Sequence, residues 1–407
     1  MTDIDLSNPD NFNDGIPHSR FRELRREDPV YWHPPTEFDE TGFWCITKYE
    51  DVKRISCDPE NFSSWRGGSS MFTPEHDQLE LTRMIMLNMD PPQHGKFRRI
   101  VSRGFTPRSI EQIAPRVREL ARDIIDSVAE RGEAEFVTDI ASKLPIEVIC
   151  ELMGVPPELR PSVFDLSNRL IGFDDPEYQS SLEDGSLAAA EIYAIAEEVG
   201  ALKRKCPADD LTTKILHGEV DGENLSQQEY GSFFLLLALA GNETTRNLTS
   251  NAMLLLMEHP AERQTLVDEP GLIERGVEES LRYNPVVMHF RRTTTRDMEL
   301  RGKTLKEGDK VVMWYPSANR DEDVFQDSDR FDVSREDNDH LALGVGEHFC
   351  LGASLARLQL NAIFEEILGR IPDMELTGDV RRLRSNFIDG IKEMPVRFTP
   401  SSNGRRL

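Results

Sequence analysis

The chain has 407 residues and a formal net charge of −25, from 48 lysines and arginines against 73 aspartates and glutamates. This balance argues against nucleic-acid binding, which needs a basic surface, and against adhesion to an anionic membrane. Hydrophobic residues make up 38% of the chain, enough for a sizeable core. Because no low-complexity linker or repeat divides it, we expect one domain over residues 1–407.

Helical periodicity dominates the chain, with a few strand-like segments. In chain order we expect a strand in residues 42–49, a helix beginning near Pro115, a mobile polar loop over 173–185, a long helix from Ser226 to before Pro260, and strands within 298–316 and 394–398. In the long helix, Ser226 and Glu229 have the spacing of a capping box. Its middle is apolar on nearly every face, which requires burial all round. This pattern predicts a mainly α fold with small β-sheets.

The N-terminal segment MTDIDLSNPDNFNDG shows no signal-peptide pattern. The longest apolar run, residues 233–240, is far shorter than the roughly 20 residues that span a bilayer. Five scattered cysteines without CxxC spacing argue against a disulfide framework or a structural zinc site. We therefore expect a cytoplasmic chain with reduced cysteines and no membrane association.

The segment HLALGVGEHFCLGASLARLQL, residues 340–360, carries the strongest chemical signal. Cys350 stands just before a helical pattern, where unpaired amides and the helix dipole stabilise a thiolate. Glycines around it let the backbone approach a flat ligand closely, because they carry no Cβ. From these residues alone, either a thiolate ligand site or a buried structural cysteine is consistent. The other four cysteines are interpreted as small apolar filler.

The run Gly346-x-His348-x-Cys350-x-Gly352-x-x-Leu-Ala-Arg resembles the cysteine loop of bacterial cytochromes P-450, a family of haem-thiolate monooxygenases. Companion motifs follow the family order over roughly residues 85–395. The resemblance implies a single-domain cytochrome P-450 fold with a long distal helix over haem b, and Cys350 as the axial ligand of its iron. Leu343 stands where the family usually has phenylalanine, which bears on the haem potential and loop packing.

A haem carries two propionates and needs cationic or donor groups at its edge. His94 and Arg98 are four residues apart, a spacing that on its own usually marks a solvated helix surface. The resemblance instead implies that both bind the haem propionates, together with His348 and Arg292, which we prefer over the adjacent Arg291. It also implies haem contacts from Ala240, Gly241, Gly346 and Gly352.

Two further motifs resemble family elements. Glu279 and Arg282, in VEESLRYNP, resemble the Glu-x-x-Arg element, a buried structural pair that we expect Arg330 to close. The run AGNETT, residues 240–245, resembles the acid-threonine element of the distal helix, where a bend opens a groove for dioxygen. Thr244 can donate its hydroxyl to the Ala240 carbonyl, four residues back, which tends to bend a helix. A kinked core helix with a solvated glutamate is the alternative for these residues. The resemblance assigns Thr244 to hydrogen bonding of dioxygen and Glu243 to proton supply.

The substrate pocket is expected to be apolar, which favours a hydrophobic small molecule. Its expected contacts by resemblance are Leu236, Leu239, Met288, Phe290, Phe387 and Ile388, with Trp65, Met71 and Phe72 as weaker candidates. Several segments look most like relatives that oxidise terpenoids, steroid side chains and methyl-branched lipids. A linear fatty acid or an aromatic hydrocarbon would also fit an apolar lining.

The chain contains no cysteine cluster or flavin module, so electrons are expected from a separate ferredoxin and its NAD(P)H-dependent reductase. A basic stretch, Lys96, Arg99, Arg103 and Arg108, could steer an acidic donor, although an ordinary helix surface would look the same. We expect a monomer that uses dioxygen. A peroxide-driven peroxygenase is disfavoured by Glu243 and Thr244, and a haem sensor by the absence of an output module.

Overall fold

The computed structural model describes residues 4–73 and 76–401. Its helices are α1 His18–Glu27, α2 Tyr49–Ser56, α3 His76–Arg83, α4 Gln93–Ser102, α5 Pro107–Val128, α6 Lys143–Met153, α7 Arg160–Ile171, α8 Leu182–Lys205, α9 Leu211–Leu216, α10 Gln227–Glu258, α11 Pro260–Asp268, α12 Ile273–Tyr283, α13 Tyr315–Ala318 and α14 Ala353–Arg370. Its strands are β1 Val30–His33, β2 Phe43–Ile46, β3 Phe62–Ser63, β4 Glu133–Glu135, β5 Glu219–Val220, β6 Glu223–Asn224, β7 His289–Thr294, β8 Met298–Leu300, β9 Lys303–Leu305, β10 Lys310–Trp314, β11 Glu375–Leu376, β12 Arg381–Arg382, β13 Ile391–Glu393 and β14 Pro395–Arg397. The mainly α fold with small sheets is therefore confirmed.

The longest of these helices is α10, and its predicted capping box is present. Ser226 Oγ accepts a hydrogen bond from the Glu229 amide at 3.2 Å, and the Glu229 carboxylate accepts one from the Ser226 amide at 2.7 Å. The helix ends at Glu258, before Pro260, as expected. Most of its residues are buried, which confirms that the helix is enclosed nearly all round.

Two apolar clusters meet along α10. The N-terminal half of the helix packs with α4, α6, α7 and α8. The C-terminal half packs with α5, α12 and α14. Because the two halves belong to different clusters, the middle of α10 lies where the helices of the two clusters meet. That position is where the acid-threonine motif occurs.

The largest sheet has the strand order β1-β2-β10-β7-β3, with β10 parallel to β2 and antiparallel to β7. Strand β7 carries Phe290 and Arg292, and β10 pairs with it residue by residue, so that Val311 lies opposite Arg292. A separate three-stranded sheet joins β14, the predicted C-terminal strand, to β4 and β11. None of the described helices has the length and apolar character needed to cross a lipid bilayer.

Two predicted boundaries are wrong. Helix α5 begins at Pro107, because Thr106 accepts a hydrogen bond from the Ser109 amide and caps it there; Pro115 lies inside the helix. The polar segment 173–185 is a loop only up to Ser181, which caps α8 by accepting a hydrogen bond from the Asp184 amide. Within that loop Asp175 is buried, and its carboxylate forms an ion pair with Lys392 at 2.8 Å.

The Glu279–Arg282 pair of α12 is fully buried, with the guanidinium 2.7 and 2.8 Å from the two carboxylate oxygens. The prediction that Arg330 closes the pair is wrong. The Arg330 carbonyl accepts a hydrogen bond from Arg282 at 3.1 Å, and its side chain turns outward and is 63% exposed. Arg335 instead places Nε 3.1 Å from Glu279 Oε2.

Candidate active site

The cysteine loop lies between the turn Gly346–His348 and the first residues of α14. The Cys350 amide donates to the Leu343 carbonyl at 2.8 Å, so the residue that replaces the family phenylalanine still anchors the loop through its backbone. Burial raises the pKa of the Cys350 thiol, while the Gly352 amide and the charges of Arg98 and Arg357 act in the opposite direction. The thiolate therefore needs further positive charge to be favoured.

Gly346 is required by the close packing of this loop against α2. Its φ is +76°, a conformation that side chains rarely adopt, and a Cβ there would lie 2.9 Å from the Ser56 carbonyl oxygen. Cys57 is next to the same position, and its Sγ would be 3.2 Å from that Cβ. Gly352 faces open space on the cavity side, which leaves room for a flat ligand over Cys350.

Four side chains with cationic or donor character gather at one edge of the same cavity. His94 and Arg98 extend from α4, Arg292 from β7 and His348 from the cysteine loop. The two histidine rings lie 4.2 Å apart between centroids. Arg98 donates to the carbonyls of Glu347 and Phe349 at 3.0 and 2.6 Å, which ties α4 to the cysteine loop.

None of these four groups forms an ion pair with a carboxylate among the described residues. Arg292 donates to the backbone carbonyl of Arg291 at 2.8 Å. Burial, with the nearby arginines, lowers the pKa of His94 to about 4 and that of His348 to about 2. Burial also lowers the pKa of Arg98 and Arg292. Buried cations without anions are costly, so this edge favours an anionic ligand.

The choice between the two neighbouring arginines follows from strand alternation. Arg292 lies on the cavity wall. The Arg291 guanidinium contacts the Phe72 carbonyl, Thr73 and the Thr293 hydroxyl, and Arg291 is not on that wall.

Another part of the cavity wall is formed by the middle of α10, including Ala240, Gly241 and Thr244. A Cβ on Gly241 would lie 2.6 Å from Ile149 of α6, so glycine allows these helices to pack closely. Thr244 Oγ1 donates to the Ala240 carbonyl at 2.7 Å, the bond to the residue four positions back that the sequence predicts. This hydroxyl is one of the few polar groups on the distal side.

Glu243 is buried but does not line the cavity. One carboxylate oxygen, Oε2, lies 2.5 Å from Arg246 Nη2, and the other, Oε1, has no hydrogen-bond partner among the described residues. Burial raises the pKa of the Glu243 carboxyl above its ordinary value, although Arg246 and Asn247 act in the opposite direction. The expected acid is therefore next to the cavity wall, with its carboxyl directed towards a cation.

Only two of the six expected substrate contacts line the cavity. Leu236 and Phe290 line the cavity, whereas Leu239, Met288, Phe387 and Ile388 do not. Met288 packs with Trp314 and other residues in a separate apolar cluster, and Ile388 is bridged to Val287 in the main core. Phe387 packs behind Phe290, with ring centroids 5.8 Å apart. The weaker candidates Trp65, Met71 and Phe72 also lie off the cavity wall.

Several apolar lining residues were missed by the sequence reasoning: Met86, Leu87, Ile149, Phe233, Leu237, Val286 and Val287. A signal for two of them was present. Phe233, Leu237, Ala240, Gly241 and Thr244 recur at spacings of three, four and seven on α10 and so share one face. Following that face back from Thr244 would have found Phe233 and Leu237.

Known proteins share this architecture and these motifs. Residues 186–371 match the cytochrome P-450 family. A steroid C26-monooxygenase from Rhodococcus jostii (strain RHA1) is 41% identical over 98% of this chain and 86% of its own length. A methyl-branched lipid omega-hydroxylase from Mycobacterium tuberculosis (strain ATCC 25618 / H37Rv) is 38% identical, over 98% of this chain and 95% of its own. A Mycobacterium marinum cytochrome P-450, solved in complex with pseudoionone, superposes with a TM-score of 0.91 at 37% identity, covering 98% of this chain and 99% of that one.

The chain belongs to the cytochrome P-450 family. It is a monooxygenase by that membership, and haem b is the family's cofactor. The residues present fit a haem, because one cavity combines a cysteine at a helix N-terminus with four cationic or donor groups that lack anions. Two propionates would supply the missing negative charge.

Two of the other cysteines do not behave as the sequence reasoning expected. Cys45 and Cys150 are buried, as apolar filler would be, but Cys57 and Cys206 are exposed. Cys57 is therefore a stringent control for ligation, since it lies beside Gly346 in the cysteine loop.

We expect the reduced, carbon-monoxide-bound protein to show the far red-shifted Soret band of a thiolate ligand. Cys350→His should abolish this band because imidazole does not donate electron density to iron as a thiolate does, and Cys57→Ser should keep it. The absorption spectrum measures both. A shifted band that survives in Cys350→His would show that another residue is the ligand.

Proposed function

We propose that this cytochrome P-450 hydroxylates an unactivated C–H bond of a neutral hydrophobic molecule, with dioxygen and two electrons from a separate ferredoxin served by an NAD(P)H-dependent reductase. The substrates that we favour are steroid side chains, methyl-branched lipids and terpenoids. The observation that carries the proposal is one cavity lined by Cys350 of the cysteine loop, by Thr244 of α10 and by apolar side chains.

In this proposal the Cys350 sulfur would bind the haem iron. His94, Arg98, Arg292 and His348 would bind the propionates, and the glycines of the loop and of α10 would leave space for the ring. When bound, haem supplies the reduction of dioxygen and the oxidation of the substrate C–H bond. Arg98 has a second role, because its bonds to Glu347 and Phe349 hold the loop that carries the thiolate.

The distal helix supplies protons. One oxygen atom of dioxygen leaves as water, and two protons must reach it in each turnover. Thr244 Oγ lies on the cavity wall and can hold a proton or a water there. We assign proton supply to Glu243, one residue before Thr244 on α10 and buried within the protein. A general-acid relay of this kind is worth about 10²–10⁴ in rate. A peroxide-driven reaction would not need this pair.

The substrate class follows from what lines the distal part of the cavity. Phe233, Leu236, Leu237, Val286 and Val287 are apolar, and Thr244 and Thr245 are the polar residues of α10 on this wall. The cations of the cavity gather at the propionate edge. An anionic head group placed near the reacting carbon would therefore have no cationic partner. This favours a substrate that places its apolar end there. The named activities of the steroid and branched-lipid relatives support this class.

The electron donor is proposed from charge. Arg99, Arg103 and Arg108 are exposed and form no ion pair among the described residues, whereas Lys96 pairs with Asp221 at 2.6 Å. Arg99 lies on α4, the helix whose Arg98 contacts the cysteine loop; Arg103 directly follows α4, and Arg108 lies in the first turn of α5. Local positive charge there can steer an acidic ferredoxin despite the net charge of −25.

Substrate-induced changes of the haem spectrum, followed by product analysis, test the substrate class. A steroid with a branched side chain and a methyl-branched lipid should bind more tightly than a linear fatty acid of equal length. Each additional buried CH₂ is worth about 0.8 kcal/mol, a factor of about 4 in affinity. Tighter binding and faster oxidation of the linear acid or of an aromatic hydrocarbon would contradict the proposal. Leu237→Ala should weaken binding about tenfold, whereas Leu239→Ala, off the cavity wall, should not.

Thr244→Ala tests the proton role. It should still bind substrate and accept electrons, but product per NAD(P)H should fall steeply, towards the 10²–10⁴ loss of a missing relay, while hydrogen peroxide rises. Added peroxide should partly rescue it, because that oxidant carries both protons. Glu243→Gln should slow turnover, more so in deuterated water.

Thr249→Ala is the matched control. Its hydroxyl makes the same bond to a carbonyl four residues back, at 2.8 Å, but lies outside the cavity. If Thr244→Ala keeps its coupling, or loses no more than Thr249→Ala, this threonine acts only through its bond to the Ala240 carbonyl.

A further inference from the structure

A buried arginine pairs with the side chain to which we assign proton supply. Arg246 lies one turn after Glu243 on α10, and its Nη2 is 2.5 Å from Glu243 Oε2. The two side chains are 4% and 2% exposed. Solvent therefore screens this pair little, and the attraction between the two charges is stronger than in a surface ion pair, while burial of the carboxyl opposes its ionisation.

The same guanidinium also binds a second helix. Arg246 Nη1 donates to Asn168 Oδ1 on α7 at 2.7 Å. Its Nε is buried without a hydrogen-bond partner among the described residues, so the two Nη atoms carry the contacts. Arg246 thereby links the acid of α10 to helix α7, and Asn168 limits where the guanidinium can move.

The other groups near the Glu243 carboxyl form only weak interactions with it. Asn247 Nδ2 is 3.5 Å from Oε2, at the limit of a hydrogen bond, and Oε1 has no partner. The phenol of Tyr178, in the loop between α7 and α8, interacts electrostatically with both Glu243 and Arg246, and Lys392 and Asp175 lie beyond it. Arg246 is thus the direct cationic partner of Glu243 in the described structure.

We propose that Arg246 is a positioning residue for proton delivery: its guanidinium favours the ionised form of Glu243 and holds the carboxyl away from the cavity, and Asn168 fixes the guanidinium. Successive residues of a helix point about 100° apart, so Thr244 faces the cavity while Glu243 faces Arg246. Proton transfer to the Thr244 side then requires the carboxyl to leave Arg246 or to act through water. The inference rests on the proposed role of Glu243.

The test is an infrared titration of the haem-loaded protein, with the carbonyl stretch of the protonated Glu243 carboxyl identified by its absence in Glu243→Gln. An opposite charge at this distance typically lowers a carboxyl pKa by 1–3 units. In Arg246→Met the midpoint should therefore rise by about 1–3 pH units. Arg246→Lys, which keeps the charge, should stay near the wild-type value, and Asn168→Ala should shift the midpoint less, in the same direction as Arg246→Met.

Arg169→Met is the matched control, since Arg169 is next to Asn168 on α7 but pairs with Asp184. Its midpoint should not move. The carbon-monoxide spectrum checks that each variant keeps its thiolate, and Asn168→Ala tests the same contact if Arg246→Met fails to fold. If the titration midpoint of Glu243 does not move in Arg246→Met, the inference is overturned. If Arg246→Met does not fold, an unchanged midpoint in Asn168→Ala overturns it instead.

Coupling measurements separate this inference from the function on which it rests. If the midpoint rises but Glu243→Gln leaves product per NAD(P)H unchanged, Arg246 still sets the ionisation of the carboxyl, and the proton-supply role of Glu243 is wrong. If Glu243→Gln lowers coupling and the midpoint in Arg246→Met does not move, the proton role stands and the positioning role fails.

Discussion

Two arginines and two histidines line one cavity without a carboxylate partner among the described residues, and the cofactor site depends on this arrangement. His94, Arg98, Arg292 and His348 come from α4, β7 and the cysteine loop, three segments far apart in the chain. Without a carboxylate among them, burial disfavours their charged forms. A ligand with negative charge at one edge would neutralise these cations, and a metal ion in the same ligand would bind the Cys350 sulfur. Haem is such a ligand.

A second buried charge lies beside the α10 wall of the cavity, outside the cavity itself, and there the protein supplies the counter-charge. Glu243 is buried in the same long helix as Thr244, and Arg246 pairs with it. In the proposed arrangement the cofactor would neutralise the arginines of the proximal side, whereas Arg246 pairs with the acid of the distal side. This difference would suit the proximal side to holding the cofactor and the distal side to moving a proton.

The sequence predicted features carried by contiguous residues. The cysteine loop, the capping box at Ser226 and the bond from Thr244 to Ala240 depend on short spacings that helix and turn geometry determine. Features that depend on the path of the chain were missed. Arg335 replaces Arg330 at Glu279 because the backbone at Arg330 takes the place next to Arg282. Val287 lines the cavity while the adjacent Met288 packs in another cluster, a distinction that apolar character alone does not make.

The most direct test compares haem b with its dimethyl ester, which lacks the propionate charges, in the rate of loss to an excess of a haem-scavenging protein. A hydrogen bond to a charged group is worth about 1.5–3 kcal/mol, or about 10- to 100-fold. We expect the wild-type chain to lose the ester at least tenfold faster than haem b, and Arg292→Leu to show a clearly smaller difference. Equal rates of loss in the wild-type chain would contradict the claim that these cations hold the haem by its propionates.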